Sequence, residues 1–417
     1  MPTPPHSHRI SLGTLAVCGV TLLCAAGAQA QLVTVSAPPG FEQPVNTRVG
    51  GFVIGTRAEA GLISTSNIRL DPSEESDTKR ILAVSANASS DWQKHNLAAS
   101  VDYFAQDAAD SRHDDLDNEA LSGALRGRFE LGGNAIARGA LQRQQSLIGK
   151  NHVDQLNGFL HGTTTSTMAS YGLEWDNQRW FLSAMGQNVD VVNDTDIKAV
   201  DDVMVQSLDR KEAQGTLQAG RHFSWGNVYG FIGSQAIQYV ASESLTLADR
   251  DSSGWRAGAG TQFSHGKLRG AVSAIRFAQD FDTTSIRNTF ATVGTVQLNY
   301  QLSQQFALSG LLQRSFSETN IPDTAGIFTT TYFLGMLYAP GEHWFVKLGP
   351  AFNRDQLADS SLATKRVSWE GQAVWQAFPR VAFSLSASHS DQRVTDPSML
   401  SQQYDDTSVT LSLVFAY

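Results

Sequence analysis

From about Gly51 to the C-terminus the chain carries no sustained helical period. Short segments in which apolar and polar residues exchange at every position take its place. A period of two sends successive side chains to opposite faces of an extended chain, so these segments are strands. In 409–417, Val409, Leu411, Leu413, Phe415 and Tyr417 share one face, and Thr410, Ser412, Val414 and Ala416 the other. Val381, Phe383, Leu385 and Ala387 oppose Ala382, Ser384, Ser386 and Ser388. Trp344, Val346 and Leu348 oppose His343 and Lys347, while Val367, Trp369, Ala373 and Trp375 oppose Arg366, Ser368, Glu370 and Gln372. Charge therefore collects on one face and large apolar side chains on the other. The segment 268–281 departs from this rule because Arg276 falls in the phase set by Leu268 and Val272, which predicts a bulge or a place near the lipid headgroups.

A second pattern punctuates the first. Aromatic residues flank short polar turns in DWQKH (91–95), FELGGN (129–134), WDNQRWF (175–181), FSWGNVY (223–229), FSHGKL (263–268), YQLSQQF (300–306), YAPGEHWF (338–345) and AFPRVAF (377–383). The turns recur roughly every 37 to 48 residues, the spacing of a repeated supersecondary unit. Each interval holds two strands and a longer polar loop, the proportion of a transmembrane hairpin. Eight turns join sixteen strands, and one more at each end makes about eighteen. Trp and Tyr suit such turns because they offer an apolar ring to acyl chains and a polar edge to headgroups. The longer loops are acidic: 67–78, 107–117, 190–202, 247–251, 318–323, 355–361 and 391–406. The fold expected is all-β, a transmembrane antiparallel barrel of the Gram-negative outer membrane. Its short turns and both termini are periplasmic and its longer loops extracellular. The segment Phe52 to Ile63 is the expected partner of the last strand.

Composition changes this picture little. Mean hydropathy is −0.21, and no stretch beyond the N-terminus offers the roughly 20 apolar residues of a spanning helix. Arg9, the apolar run from Ile10 to about Ala26 and the small residues Ala28 and Ala30 form a signal peptide over 1–30, cut after Ala30. Both cysteines, Cys18 and Cys24, lie inside it, so the mature chain carries no thiol. Removing 1–30, whose one formal charge is Arg9, takes the net charge from −9 to −10, which argues against a nucleic-acid partner. Residues 31–50, with Pro38, Pro39 and Pro44, read as a flexible periplasmic lead-in, with ordering against the barrel left open, ahead of a barrel over 51–417.

Catalytic signatures are absent: there is no HExxH, GxSxG, P-loop or dinucleotide glycine motif. Two clusters have the composition of a surface hydrolase, Arg112-His113-Asp114-Asp115 and His389-Ser390-Asp391, but acidic loops hold such triplets by chance. Asp114, Asp115, Asp117 and Glu119, or Asp249 and Asp251, have calcium-type oxygens without EF-hand spacing and read as solvated charge. No enzyme, metal or cofactor is expected.

The lumen carries more information, because an eighteen-stranded barrel is too wide for side chains to fill. Strand phase points Arg57, Glu59, Asp102, Arg126, Arg128, Glu130, Arg138, Glu174, Glu212, Arg256, Arg269, Lys347, Arg366 and Glu370 inward, eight basic and six acidic. A passage for a strongly anionic polymer would be dominated by Arg and Lys. This mixture suits a neutral or weakly acidic sugar, or charges that pair across strands and keep the lumen wet. The longest candidate for an inward constriction loop is 188–208.

Two stretches carry a family resemblance: EAGLISTSNIRLDPS (59–73), with Ser66, Asn67 and Ile68, and ILAVSANASSDWQKHNLAASVDYFAQ (81–106), with Asp91, Trp92 and His95. With GALRGRFELGGNAIARGALQRQ (123–144), the chain resembles the Putative beta-barrel porin family 2, barrels encoded beside exopolysaccharide genes. The resemblance implies an outer-membrane role in polysaccharide export or surface assembly. The partners it implies are outer-membrane lipid and lipopolysaccharide, the barrel-assembly machinery and periplasmic polysaccharide-export proteins. The alternative is a diffusion porin for small sugars or ions. Phe415 and Tyr417 form the expected barrel-assembly signal, so truncating 415–417 should abolish membrane insertion rather than transport alone, as read by the yield of folded barrel in outer-membrane fractions.

Overall fold

The computed structural model describes residues 47–70, 74–147, 162–195, 209–240, 250–319, 324–341, 343–395 and 403–416. A short strand β1 (Thr47–Val49) precedes eighteen long ones. The first nine of these are β2 (Phe52–Thr65), β3 (Asp77–Ser90), β4 (His95–Ala108), β5 (Asn118–Gly132), β6 (Ala135–Leu147), β7 (Gly162–Asp176), β8 (Trp180–Thr195), β9 (Arg210–Phe223) and β10 (Gly226–Tyr239). The second nine are β11 (Ser252–His265), β12 (Leu268–Phe281), β13 (Thr289–Gln301), β14 (Phe306–Ser317), β15 (Ile327–Gly341), β16 (Trp344–Leu357), β17 (Ala363–Phe378), β18 (Val381–Val394) and β19 (Tyr404–Ala416). Each long strand pairs antiparallel with its sequence neighbours, and β19 returns to β2, closing an 18-strand barrel. A closed sheet leaves no backbone N–H or C=O unpaired in hydrocarbon, the condition any membrane-spanning sheet must meet.

All eight aromatic-flanked turns are short connections at one end of the barrel. At the β5–β6 turn Gly133 and Asn134 both have positive φ, +59° and +68°, the pair of left-handed residues a two-residue hairpin needs. The alternation read from the sequence is the alternation of the wall: Leu62, Leu121, Leu173, Ile232, Leu334, Leu385 and Leu411 stand exposed on the outer face. Around the short-turn end the outer face carries an aromatic belt, including a run of stacked rings in which Trp344–Trp375 and Trp375–Phe383 both have centroids 5.7 Å apart.

Four sequence expectations change. No bulge occurs at Arg276: β12 keeps unbroken register with β11 and β13, and Arg276 faces outward with its guanidinium carbon 4.1 Å from the Phe290 ring centroid. Arg314 does the same over Phe328, so these two outward cations are sheltered by aromatic faces. Second, Asp77, Asp107, Asp190, Asp355, Asp391 and Asp406, assigned to loops, belong to strands that extend past the apolar band, where alternation in hydrophobicity no longer marks them. The 188–208 candidate loop shrinks for the same reason, since β8 runs to Thr195. Third, the end of the lead-in is a strand, β1, paired with β2 through Thr47↔Ile54 and Val49↔Phe52. Tyr417, Ala28 and Ala30 lie outside the described residues. The fourth change, in how the lumen charges pair, belongs to the site below.

The seam between β19 and β2 holds nine residue pairs, Ser408↔Thr65 through Ala416↔Arg57. Its long-loop end is clasped by the Ser66-Asn67-Ile68 step. Thr65 Oγ1 donates to Asp406 Oδ1 at 2.6 Å, Asn67 N–H donates to the same oxygen at 3.1 Å, and Asn67 Nδ2 donates to the Asp405 carbonyl at 3.0 Å. Asn67 is fully buried. At the other end Asp91 pairs with Arg48 at 3.0 Å, and the Trp92 ring meets Phe52 edge-on at 5.6 Å. Both motifs thus hold the start of the barrel in place. Asn67→Ala removes the buried donor to the part-buried Asp405 carbonyl and should cost about 1 kcal/mol. The check is the temperature at which the folded, heat-modifiable form is lost on electrophoresis, and that temperature should fall.

Candidate functional site

The interior wall is built from the strand phase opposite the exposed apolar residues. Arg57, Glu59, Asp102, Arg126, Arg128, Glu130, Arg138, Glu174, Glu212, Arg256, Arg269, Lys347, Arg366 and Glu370 all lie on that phase. Their partners differ from the cross-strand pairing expected. Residues i and i+2 of a strand share a face about 7 Å apart, within reach of Arg and Glu. On the inner wall, among the described residues, this occurs three times: Arg57–Glu59 at 2.9 Å, Arg128–Glu130 at 2.9 Å and Arg210–Glu212 at 2.8 Å. Among the described residues, Arg138–Glu174, at 2.8 Å, is the one cross-strand ion pair within the predicted set. Arg256 is buried and donates to Thr216 Oγ1 at 2.9 Å.

Strand phase places further groups on the inner wall that the sequence reading left out. Lys79, Arg210, His222 and Asp355 are charged or titratable members. Aromatic rings form the second class. The β-carbon position of Gly220 would lie 2.4 Å from the Phe181 ring, that of Gly260 2.5 Å from the Tyr229 hydroxyl, and that of Gly258 2.7 Å from the Phe231 ring. These three rings therefore lie over glycines of neighbouring strands, flat along the wall, and a side chain at those positions would lift them off it. Register aligns Phe181, Gly220, Tyr229 and Gly260 in one row, with Phe231 two residues further along β10. The signal available in the sequence was an aromatic residue in the inward phase facing a glycine one strand away, legible only once register is known.

At the long-loop end the wall is closed by a buried polar knot. Glu318 accepts from the Tyr239 hydroxyl at 2.8 Å and from the Gln279 amide, and Arg250 lies 3.8 Å away. Burial pushes the Glu318 carboxyl above its ordinary range. A second knot joins two loops. His113, 3 % exposed in its side chain, sets Nδ1 2.8 Å from Asp77 and Nε2 3.0 Å from Glu75, while Arg112 pairs with Asp110. Hydrogen bonds to Glu75 and Asp77 push His113 upward, and the bond to His113 pulls Glu75 down. Arg112 holds Asp110 at about 2.

Neither candidate hydrolase cluster forms a catalytic pair. Both ring nitrogens of His113 are taken by carboxylates, so it has no nitrogen left to act as a base. His389 and Ser390 are strand neighbours on opposite faces, His389 lying on the outer one at 3.1 Å from Thr407 Oγ1. Asp117 and Asp251 accept backbone N–H groups, of Ala108 and Tyr239, and among the described residues no group of three ligands could hold a metal ion.

The family pattern described as Putative beta-barrel porin 2 matches residues 38–417. The chain belongs to this porin family. It is an outer-membrane β-barrel channel, and the family and its channel neighbours are transport proteins rather than enzymes. No curated protein matches it. Among solved structures it is similar to Pseudomonas aeruginosa OccK2 (OpdF) in complex with glucuronate, at 9 % identity and TM-score 0.50, covering 88 % of this chain and 98 % of that one. It is also similar to P. aeruginosa OpdK with vanillate, at 7 % identity and TM-score 0.48, covering 87 % and 99 %. The ferric citrate transporter FecA matches at 12 % identity and TM-score 0.45 over 82 % of this porin, which spans 60 % of that longer chain. At 9 % identity the likeness to OccK2 is one of fold alone.

The His113 clamp has a pH window. A raised histidine stabilises below its unfolded value, near 6.5, and loses that contribution as pH rises through the folded value. A lowered Glu75 stabilises above its unfolded value, near 4.5, and loses that contribution as pH falls through the folded one. Amide protection of 66–70 and 74–76 should therefore be greatest at about pH 5 to 6 and decline on either side. Hydrogen exchange checks this, and in His113→Gln the decline on the alkaline side should vanish.

Proposed function

We propose that this porin passes a hydrophilic saccharide chain, neutral or weakly acidic, across the outer membrane, and that its substrate is an extracellular polysaccharide on its way to the surface. The single observation carrying this reading is the row of glycine-seated rings Phe181, Tyr229 and Phe231 on an inner wall where about half of the predicted charges stand in Arg–Glu pairs. The apolar C–H face of a pyranose packs on a flat aromatic ring, while its hydroxyls exchange hydrogen bonds with water and amides at little cost. Arg–Glu pairs keep the wall wet and strongly polar, and the carboxylates interleaved with its cations set it apart from the Arg- and Lys-dominated surface that would trap a polyanion. In this reading the short turns, β1 and the C-terminus face the periplasm, export proteins there supply the chain, and lipopolysaccharide and the assembly machinery meet the outer face.

The second reading is a diffusion porin for small sugars or ions, favoured by the width of an eighteen-stranded barrel. Purified protein in planar bilayers separates the two. Neutral oligosaccharides should interrupt the ion current of the wild type, with interruptions lengthening as the chain grows. Replacing both rings, Tyr229→Ala and Phe231→Ala, should shorten the residence time about tenfold, the loss expected from one to two stacking contacts. Identical currents with and without oligosaccharide would refute saccharide binding. A gene deletion that leaves surface polysaccharide intact would refute the export role.

A further inference from the structure

Like charges stand opposite one another across three adjacent strands of the outer wall. Arg354 of β16 pairs in register with Lys365 of β17, and Lys365 with Arg393 of β18. All three share the outward phase of Val346, Val367 and Leu385, and all three are exposed. Through Thr330 the row continues to Arg314, since register sets Arg314 opposite Thr330 and Thr330 opposite Arg354. Like charges directly opposite in a sheet destabilise it. Elsewhere at the long-loop end outward cations meet carboxylates: Arg80 stands opposite Asp107, and Lys211 opposite Asp190. On the outward phase of β14 to β18 the one carboxylate is Asp391, and Arg393 holds it at 2.7 Å. Among the described residues no ion pair joins Arg354 or Lys365 to a carboxylate. The row therefore keeps a surplus of positive charge that the sheet itself does not meet.

Its height says what does. Trp344, Trp375 and Phe383 form the stacked run of the short-turn girdle, and each cation lies ten residues away along the same strand. Ten residues of a strand inclined at about 40° climb about 25 Å, the height of the apolar band. The cations thus stand at the opposite headgroup level, with Val346, Leu348, Val367 and Trp369 exposed between them and the girdle. An occupant has to bring an anion to the row and lay acyl chains over those apolar side chains. That describes an anionic lipid rather than a soluble anion or an acidic protein. From Arg354 to Arg393 the row spans two strand spacings, about 10 Å, broader than a single phosphate group.

We propose that Arg354, Lys365 and Arg393, flanked by Arg314, bind the phosphates of one lipopolysaccharide molecule, whose lipid A carries two of them on a disaccharide. The choice of lipopolysaccharide rests on the orientation that puts the long loops outside the cell. The anion site depends neither on that orientation nor on what the channel carries.

The test uses the full-length protein, purified as a folded barrel in detergent and mixed with bisphosphorylated lipid A, its monophosphorylated form or phosphatidylglycerol. Native mass spectrometry reads the bound lipid. The wild type should hold bisphosphorylated lipid A more tightly than either of the others. Arg354→Gln with Lys365→Gln should weaken that binding about tenfold or more, the loss expected for one or two charge-assisted contacts. Arg80→Gln with Lys211→Gln, the same change of charge away from the row, should leave it unaltered. Without lipid the row variant should unfold at the wild-type temperature or above it, since like-charge repulsion is gone, whereas a merely structural role would lower that temperature. A folded row variant that holds lipid A as the wild type does, or loses it no more than the control pair, overturns the proposal. Equal binding of the monophosphorylated lipid or of phosphatidylglycerol by the wild type also overturns it. Orientation is read separately. Cysteine occurs only at 18 and 24, inside the expected signal peptide, so a membrane-impermeant maleimide on intact cells should label Ser361→Cys in the loop between β16 and β17. If that residue is protected, the orientation fails, and lipopolysaccharide as the occupant fails with it.

Discussion

Closure of the sheet is the constraint on which everything else here depends. Within hydrocarbon a strand edge would leave its N–H and C=O groups without partners, at a cost of several kcal/mol for each group. The β19–β2 seam removes that edge with nine residue pairs, and the rest of the barrel inherits its size, its inside and its outside from that event. It explains why side chains crowd at the seam's two ends. Asn67, buried against β19, and Trp92, against Phe52 of β2, act where the ladder between first and last strands would otherwise fray. Below the reach of β19, β1 takes up the remaining edge of β2.

Closure also fixes the electrostatics of the interior. A charge on the inner wall of a wide barrel can stay hydrated, so it needs no buried partner to be tolerated. That so many arginines nonetheless pair with a glutamate two residues away is a consequence of strand geometry: a neighbour on the same face is already at the right distance. The pairs soften the field along the wall, and the rings seated on glycine add apolar faces between them. The result is a wall on which charged pairs, amides, hydroxyls and aromatic faces alternate.

Much of this was legible in the sequence. Period-two alternation located the lipid face, because a lipid-facing position tolerates almost nothing but apolar side chains. Aromatic-flanked turns gave the strand number, because headgroup-level chemistry recurs once per hairpin. Strand ends were less legible: Asp355 and Asp406 read as loop because strands that extend beyond the bilayer face water on both sides and lose their alternation. Arg276 read as an irregularity because its compensation, the Phe290 ring, sits on the next strand.

By itself, then, the sequence determined which residues face lipid, where the turns fall and that the ends must meet, since each follows from a solvent rule applied one residue at a time. The tertiary structure decided what register alone can bring together: Asn67 with Asp405 across 338 positions, Tyr229 over Gly260, and Arg354 opposite Lys365. A strand's pattern records which medium each face meets, whereas its neighbours are set by closure of the whole sheet.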